Sequence, residues 1–257
     1  MTRWSEYHVF LHRGAALDAF LTGPLPRLFD RVGGRGWFIR YWLGGPHIRV
    51  RIPADRDSPA AAQLLRDAAS DHAGGTALTP TAFYAGHSFD GVPVDAGTLP
   101  WFADGTVRSV AHVSETALYG EGETLRGNEA FFCDASRLAL RLLAVADVAL
   151  LPRVAADLLL GAYAHLGDRA DDFTRAYRGF LRPFGSDARE RSRAPGNSGI
   201  GQPGQAWRAM LQRYEARAEQ PLRRFVLHQH LLMNRLGIAP RHEALLFDTL
   251  QGEIVHG

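Results

Sequence analysis

The sequence predicts an α+β protein, with a sheet-bearing first half followed by a mostly helical half packed on it. Three observations carry that expectation. Strand-like and helix-like runs alternate through roughly the first 86 residues. From about residue 128 the apolar residues recur almost entirely at helical spacing. The hydrophobic share of 46% and charged share of 22% are those of a chain that buries a core.

The elements follow in order. EYHVFLH (6–12) has strand composition. Residues 15–32 carry apolar residues at helical spacing, and Pro24 and Pro26 must break or restart that helix. GWFIRYWL (36–43) and HIRVRI (47–52) are two strands joined by Gly44-Gly45-Pro46, a hairpin-length turn. Residues 58–74 form a helix with Ser58 as N-cap, Pro59 at its first position and glycines at its end. TAFYAG (81–86) is expected to be a further strand. The order is then β-α-β-β-α-β, the split unit of ferredoxin-like folds. Residues 87–105 are loop-like, with turn signals at Asp90-Gly91 and Asp104-Gly105, and TVRSVAHV (106–113) is another strand.

Helical segments follow near 129–150, 152–166, 169–182, 205–218, 221–236 and 241–251. The stretch 185–205, rich in Gly, Pro, Ser and Arg, is a loop, either a plain connector or a lid over a site. With no internal repeat, the chain is expected to be one domain over 1–257, with a sheet-bearing half over 1–120 and a helical half over 121–257.

Composition excludes several classes of chemistry. All 29 basic residues are Arg, so neither a phosphate-cradling P-loop lysine nor a Schiff-base lysine for pyridoxal phosphate is available. A net charge of +2 argues against nucleic acid as a partner. The single cysteine, Cys133, permits no intrachain disulfide and no thiolate zinc cluster. It stands in the apolar context FFCDASRLAL and is expected to be a buried structural thiol. No run of about 18 apolar residues suggests a membrane span, and MTRWSEYHVFLH has no signal-peptide core. A cytoplasmic protein without metal or cofactor is expected, and the oligomeric state is left open.

The remaining signals are clustered. In HIRVRI the two-residue strand period sends His47, Arg49 and Arg51 to one face and Ile48, Val50 and Ile52 to the other. Arg40, among Trp37, Phe38, Tyr41 and Trp42, is expected near this row if the hairpin register allows. Arginine presents a fixed fork of donors that suits carboxylates and oxyanions. The alternative is an ordinary solvated face, but helices packed over a basic row would need anions there. In SETALYG (114–120), Glu115 and Tyr119 are one helical turn apart. Tyr119 suits an acid, and Glu115 a base or an orienter of an arginine, unless the Glu is incidental to a loop. PLRRFVLHQHLLMNRLG (221–237) is the best-marked helix, with Pro221 opening it and Gly237 ending it. His230 and Asn234 share one face of it. His230 is either a satisfied core histidine or a proton shuttle. His228 points elsewhere and is expected to be structural.

Together, RYWLGGPHIRVR, ETALYG, NEAFFCDASRLAL and LHQHLLMNRLGI, in that order over nearly the whole chain, resemble the C-terminal domain of class I lantibiotic dehydratases. The same domain occurs alone as the thiopeptide-type bacteriocin biosynthesis protein. The resemblance implies work on a ribosomal precursor peptide, with leader and dehydrated core, and leaves room for a partner dehydratase. One branch of the family eliminates glutamate from glutamylated Ser or Thr. The other joins two dehydroalanines in a formal aza-[4+2] cycloaddition and expels water and the leader to leave a pyridine. The family's arginine row falls on Arg49 and Arg51, its E-x-x-R-Y-G motif on Glu115, Tyr119 and Gly120, and its late histidine on His230. Where eliminating members carry the motif's arginine, this chain has Leu118. Losing that cation weakens elimination, which must stabilise a departing carboxylate, and so favours a pyridine synthase. A non-catalytic subunit that binds the precursor peptide is a third reading.

Overall fold

The computed structural model describes residues 3–55, 58–75, 78–85, 88–89, 92–184, 200–216 and 221–256. It divides into two compact units, Met1–Ala144 and Val145–Gly257. The long helix Gly122–Val145 falls almost wholly in the first of them.

The first unit is built on a four-stranded antiparallel sheet. Its strands are β1 (Trp4–Phe10), β2 (Trp37–Tyr41), β3 (His47–Pro53) and β6 (Val107–Val110), in the order β2-β3-β1-β6. One face is apolar: Tyr7, Val9, Phe38, Ile48, Val50 and Ile52 are all buried. Helices α1 (Gly14–Thr22), α2 (Pro24–Arg31) and α3 (Ser58–His72) pack together, and α3 lies against β1. They contribute Leu17, Phe20, Leu21, Leu28, Phe29 and Leu65 to the core, each worth about 1.5–3 kcal/mol when fully buried. The expected restart of the first helix is real: α1 ends at Gly23 and Pro24 opens α2. The β2 edge is capped by α6 (Gly122–Val145), whose Ser136 Oγ accepts the Phe38 N–H at 3.1 Å. The Cys133 thiol is buried and donates to the Arg35 carbonyl at 3.2 Å.

Residues 81–85 are not a strand, and 86 lies outside the described residues. Thr79 caps a short helix, α4 (Pro80–Tyr84), its Oγ1 accepting from the Ala82 N–H at 3.2 Å with Pro80 in the first turn. The helix carries Tyr84 to the β2–β3 hairpin, where its hydroxyl accepts the Gly44 N–H at 2.8 Å. Gly44 has φ 100° and stands against Phe102, a conformation and a closeness that favour glycine. The fourth strand of the sheet is β6, so the α+β class stands while 81–85 does not supply the last strand of the β-α-β-β-α-β reading. Within the expected loop 87–105, β4 (Ser88–Phe89) and β5 (Val92–Pro93) pair as a small separate ribbon.

The second unit is helical: α7 (Leu151–Leu166), α8 (Ala170–Leu181), α9 (Gln202–Glu215), α10 (Leu222–Leu236) and α11 (Pro240–His256). By length and composition 148–184 is apolar enough to cross a membrane, but here a 3-10 turn at Gly167–Arg169 divides it into α7 and α8. The buried side of α7, including Ala155, Leu158 and Leu159, belongs to a core shared with α9. Asp157 ties the two helices, accepting the Gly201 N–H at 2.5 Å and the Gly204 N–H at 2.7 Å, so it caps α9. The helix begins at 202, not 205; of the expected loop, 185–199 lie outside the described residues. A Cβ on Gly161 would stand 2.2 Å from the Gly204 carbonyl oxygen. Gly161→Ala is therefore expected to cost roughly 3 kcal/mol and to lower Tm by about 6–12 °C in scanning calorimetry. An unchanged Tm would overturn this account of the α7–α9 contact.

Candidate functional site

The polar face of the first unit's sheet follows from register. Across β2, β3, β1 and β6 the rows are Trp37–Arg51–Glu6–Val110, Ile39–Arg49–His8–Arg108 and Tyr41–His47–Phe10. The sheet therefore presents His47, Arg49 and Arg51 on one face, as strand alternation requires. It does not place Arg40 there. Arg40 pairs opposite Ile48, on the helix-covered face, where its Nη2 donates to Asp18 Oδ1 at 2.8 Å. Arg40 is corrected from a member of the row to a partner of α1.

Each arginine of the row stands over an aromatic ring: Arg49 over Tyr41 at 3.5 Å and Arg51 over Trp37 at 4.3 Å. Arg51 is 5% exposed, and its Nη2 donates to Glu6 Oε1 at 3.0 Å. Glu6 is the centre of this face. Its Oε1 also meets His8 Nε2 at 3.0 Å, and its Oε2 meets His112 Nδ1 at 2.9 Å. Burial alone would raise the Glu6 pKa. Hydrogen bonds from His112 and His8, with the charge and hydrogen bond of Arg51, outweigh it and hold the carboxylate well below its usual range. On the adjoining helix, burial pushes the Glu129 carboxyl up.

His47 is buried between rings, 4.5 Å from Phe10 and 4.9 Å from His8. Its Nδ1 donates to the Gly45 carbonyl at 2.9 Å. Burial, aided by the charges of His8, Arg49 and Arg51 against that bond, lowers its pKa to about 3. The ring is neutral, and Nε2 carries a lone pair rather than a proton. Among the described residues, His47 Nε2, Arg49 Nε, and Arg51 Nε and Nη1 are buried and make no hydrogen bond. An unmade buried donor costs about 1–3 kcal/mol, so the grouping of the Arg49 and Arg51 donors on one strand marks a face shaped for an acceptor such as a carbonyl or carboxylate oxygen, while His47 Nε2 beside them is left to accept.

Glu115 precedes a one-turn helix, α5 (Thr116–Tyr119), whose Tyr119 N–H reaches the Glu115 carbonyl at 3.0 Å. The expected helical turn is present, but the two side chains part: Glu115 is exposed and Tyr119 is buried edge-on to Phe132 at 4.8 Å. Glu115 acts on Arg51 through charge. The hydrogen-bonding partner that orients Arg51 is Glu6, which sequence reading missed, along with His8 and His112. The two-residue spacing of Glu6 and His8 in EYHVF was the available signal. Leu118 is 42% exposed. A separate cavity of about 480 Å³, lined by His12, Gly74, Trp101 and Asp104, has spent its polar groups on the main chain.

In the second unit, α10 ends as expected at Gly237, with φ 83° and the Ile238 N–H returned to the Met233 carbonyl at 3.0 Å. His228 is fully buried at 4.9 Å from the Tyr214 ring, and burial lowers its pKa to about 3. His230 is partly exposed, and its Nδ1 lies 2.8 Å from Glu243 Oε2. Asn234 is half-buried one turn further along the helix. Glu243 is a second functional candidate that periodicity did not single out.

The family described as the lantibiotic biosynthesis dehydratase C-terminus matches residues 4–254. No curated protein sequence matches the chain. Among solved structures, the chain is similar to TbtD, the pyridine synthase from thiomuracin biosynthesis, with TM-score 0.71 at 19% identity, covering 99% of this chain and 98% of that one. It is also similar to MibB, the tRNA-dependent lantibiotic dehydratase from Microbispora sp. 107891, with TM-score 0.55 at 16% identity, over 97% of this chain and 28% of that one. TsrL matches with TM-score 0.56 at 15% identity, over 99% of this chain and 96% of that one. At these identities the likeness is one of fold.

Proposed function

The chain belongs to the lantibiotic biosynthesis dehydratase C-terminal family, and from that membership we propose that it is an enzyme that modifies ribosomally made peptides. Its reaction, on this reading, is the formal aza-[4+2] cycloaddition of two dehydroalanines. The amide before one dehydroalanine tautomerises to its iminol, giving a four-atom azadiene. The second dehydroalanine supplies the alkene, and two carbon–carbon bonds close a six-membered ring. The ring hydroxyl then leaves as water and the leader leaves as its carboxamide, which makes the pyridine aromatic.

The observation that carries the proposal is the set of buried, unmade donors on Arg49 and Arg51 beside a neutral His47. Tautomerisation moves charge onto the amide oxygen, and preorganised guanidinium donors stabilise it without reorganisation. His47 Nε2 accepts a substrate N–H. Glu115 supports the charge of Arg51 from outside. Tyr119 is assigned as an acid, and His230 carries protons for tautomerisation and for the two departures. Most of the rate comes from holding the two alkenes together. Leu118 supports cyclisation, because it leaves an uncharged side chain where eliminating relatives carry an arginine.

The same donors suit a departing glutamate carboxylate, so glutamate elimination is the second reading. The assay is mass spectrometry of synthetic precursor peptides. A bis-dehydroalanine peptide is expected to give a macrocycle and a separate leader carboxamide. Loss of glutamate from a glutamylated peptide, with no ring formed, would overturn cyclisation in favour of elimination. Neither product, with peptide binding retained, would make the chain a non-catalytic subunit.

A further inference from the structure

Three helices of the second unit meet at one buried carboxylate. Glu243, fully buried in the first turn of α11, receives the Tyr177 hydroxyl of α8 on Oε1. His230 of α10 lies 2.8 Å from its Oε2. Both oxygens are thus occupied, and the positive end of α11 favours their charge. Burial, with the Glu243 charge and hydrogen bond, pushes Tyr177 well above the ordinary tyrosine range, so its hydroxyl stays a donor.

Stability alone does not account for this arrangement. A buried carboxylate pays a large desolvation cost, and apolar residues of similar volume commonly stabilise as well or better. The histidine it holds is not a core group: His230 keeps 18% side-chain exposure, beside the Phe180 ring at 4.9 Å. An imidazole whose inner nitrogen donates to a buried carboxylate is locked in one tautomer and one orientation.

We propose that Glu243 is a positioning residue for His230. It takes the Nδ1 proton as a hydrogen bond and leaves the Nε2 lone pair as the base, while Tyr177 anchors the carboxylate from behind. This deepens the proton-carrier role given to His230 above and rests on that reading for the reaction itself.

The test is ¹⁵N NMR of the full chain labelled at histidine, with His230 assigned by substitution, alongside turnover. Wild type is expected to show His230 protonated at Nδ1 and bare at Nε2. Glu243→Ala should release the ring towards the Nε2–H form and cut kcat by on the order of 10²–10⁴-fold, with KM changed by less than about threefold. Glu243→Gln keeps an oxygen acceptor and should hold the tautomer while losing part of kcat. Tyr177→Phe should lose roughly tenfold. An Nε2–H tautomer in wild type, or one unaltered by Glu243→Ala, overturns the proposal. Should Glu243→Ala not fold, the wild-type tautomer decides by itself. If His230→Ala keeps full turnover while the tautomer follows Glu243, the pairing stands and the proton-carrier role falls.

Discussion

Arg49→Ala is expected to lower peptide turnover by roughly 10²–10³-fold while the chain stays folded. Among the described residues no carboxylate pairs with Arg49; its guanidinium lies 3.5 Å over the Tyr41 ring, with Nε buried and unbonded. Truncation therefore strands no buried anion and forfeits about 1 kcal/mol of ring contact. That is small beside the 5–15 kcal/mol of a typical domain. Loss of a forked donor aimed at a developing oxyanion is a transition-state effect, so it should appear mainly in kcat. Arg49→Lys restores the charge without the fork and should recover only part of the loss. Arg35→Ala is the control. Its side chain is 62% exposed and sits 3.8 Å from Asp55, so turnover should stay within about twofold of wild type. Steady-state mass spectrometry reads all three. Arg49→Ala with undiminished kcat would remove the arginine row from the reaction.

Glu6→Gln should act on stability instead, costing about 3–5 kcal/mol at pH 7, because it leaves the Arg51 charge buried without its counter-charge. Urea denaturation measures this. The variant should also change how stability responds to acid. The folded Glu6 pKa lies below its unfolded value, so the contribution is complete above about pH 4.5 and drains as pH falls further. His47 and His228 lose stability earlier. Burial depresses each to about 3, whereas the unfolded side chain takes up a proton near 6.5. Between those values the unfolded state binds more protons, and stability falls by up to about 1.4 kcal/mol per pH unit for each group. Wild type should therefore weaken from about pH 6.5 downward. Glu6→Gln should keep that slope and flatten the curve below about pH 4.5. An unchanged acid limb would show that Glu6 is not the group that titrates there.

Local pattern made much of this molecule legible. Alternation in HIRVRI assigned His47, Arg49 and Arg51 to one face, and the sheet presents them so. Pro24 divided the first helix, and Gly237 ended α10. The strand expected at 81–86 misread a helix whose cap, Thr79 with Pro80, was present in the sequence. That helix brings the Tyr84 hydroxyl to the Gly44 N–H of the hairpin, a tertiary role with no local signature. Arg40 was misplaced for a different reason: alternation sorts faces within a strand, but the pairing of Arg40 with Ile48 is a register that a five-residue connection leaves free.

By itself, then, the sequence determined the α+β class, the two faces of HIRVRI, the break at Pro24 and the end of α10 at Gly237, while the helix expected at 129–150 runs over Gly122–Val145 and α9 begins at 202. The physical reason is that periods of 2 and 3.6, capping and proline geometry act over a few neighbouring residues. Only tertiary structure decided which charges meet. Glu6 joins Arg51 and His112 because β1 lies between β3 and β6, across separations of 45 and 106 residues. Glu243 receives His230 and Tyr177 because three helices close on one point. A buried carboxylate is stable only where its partners converge, and that convergence is a property of packing between distant segments.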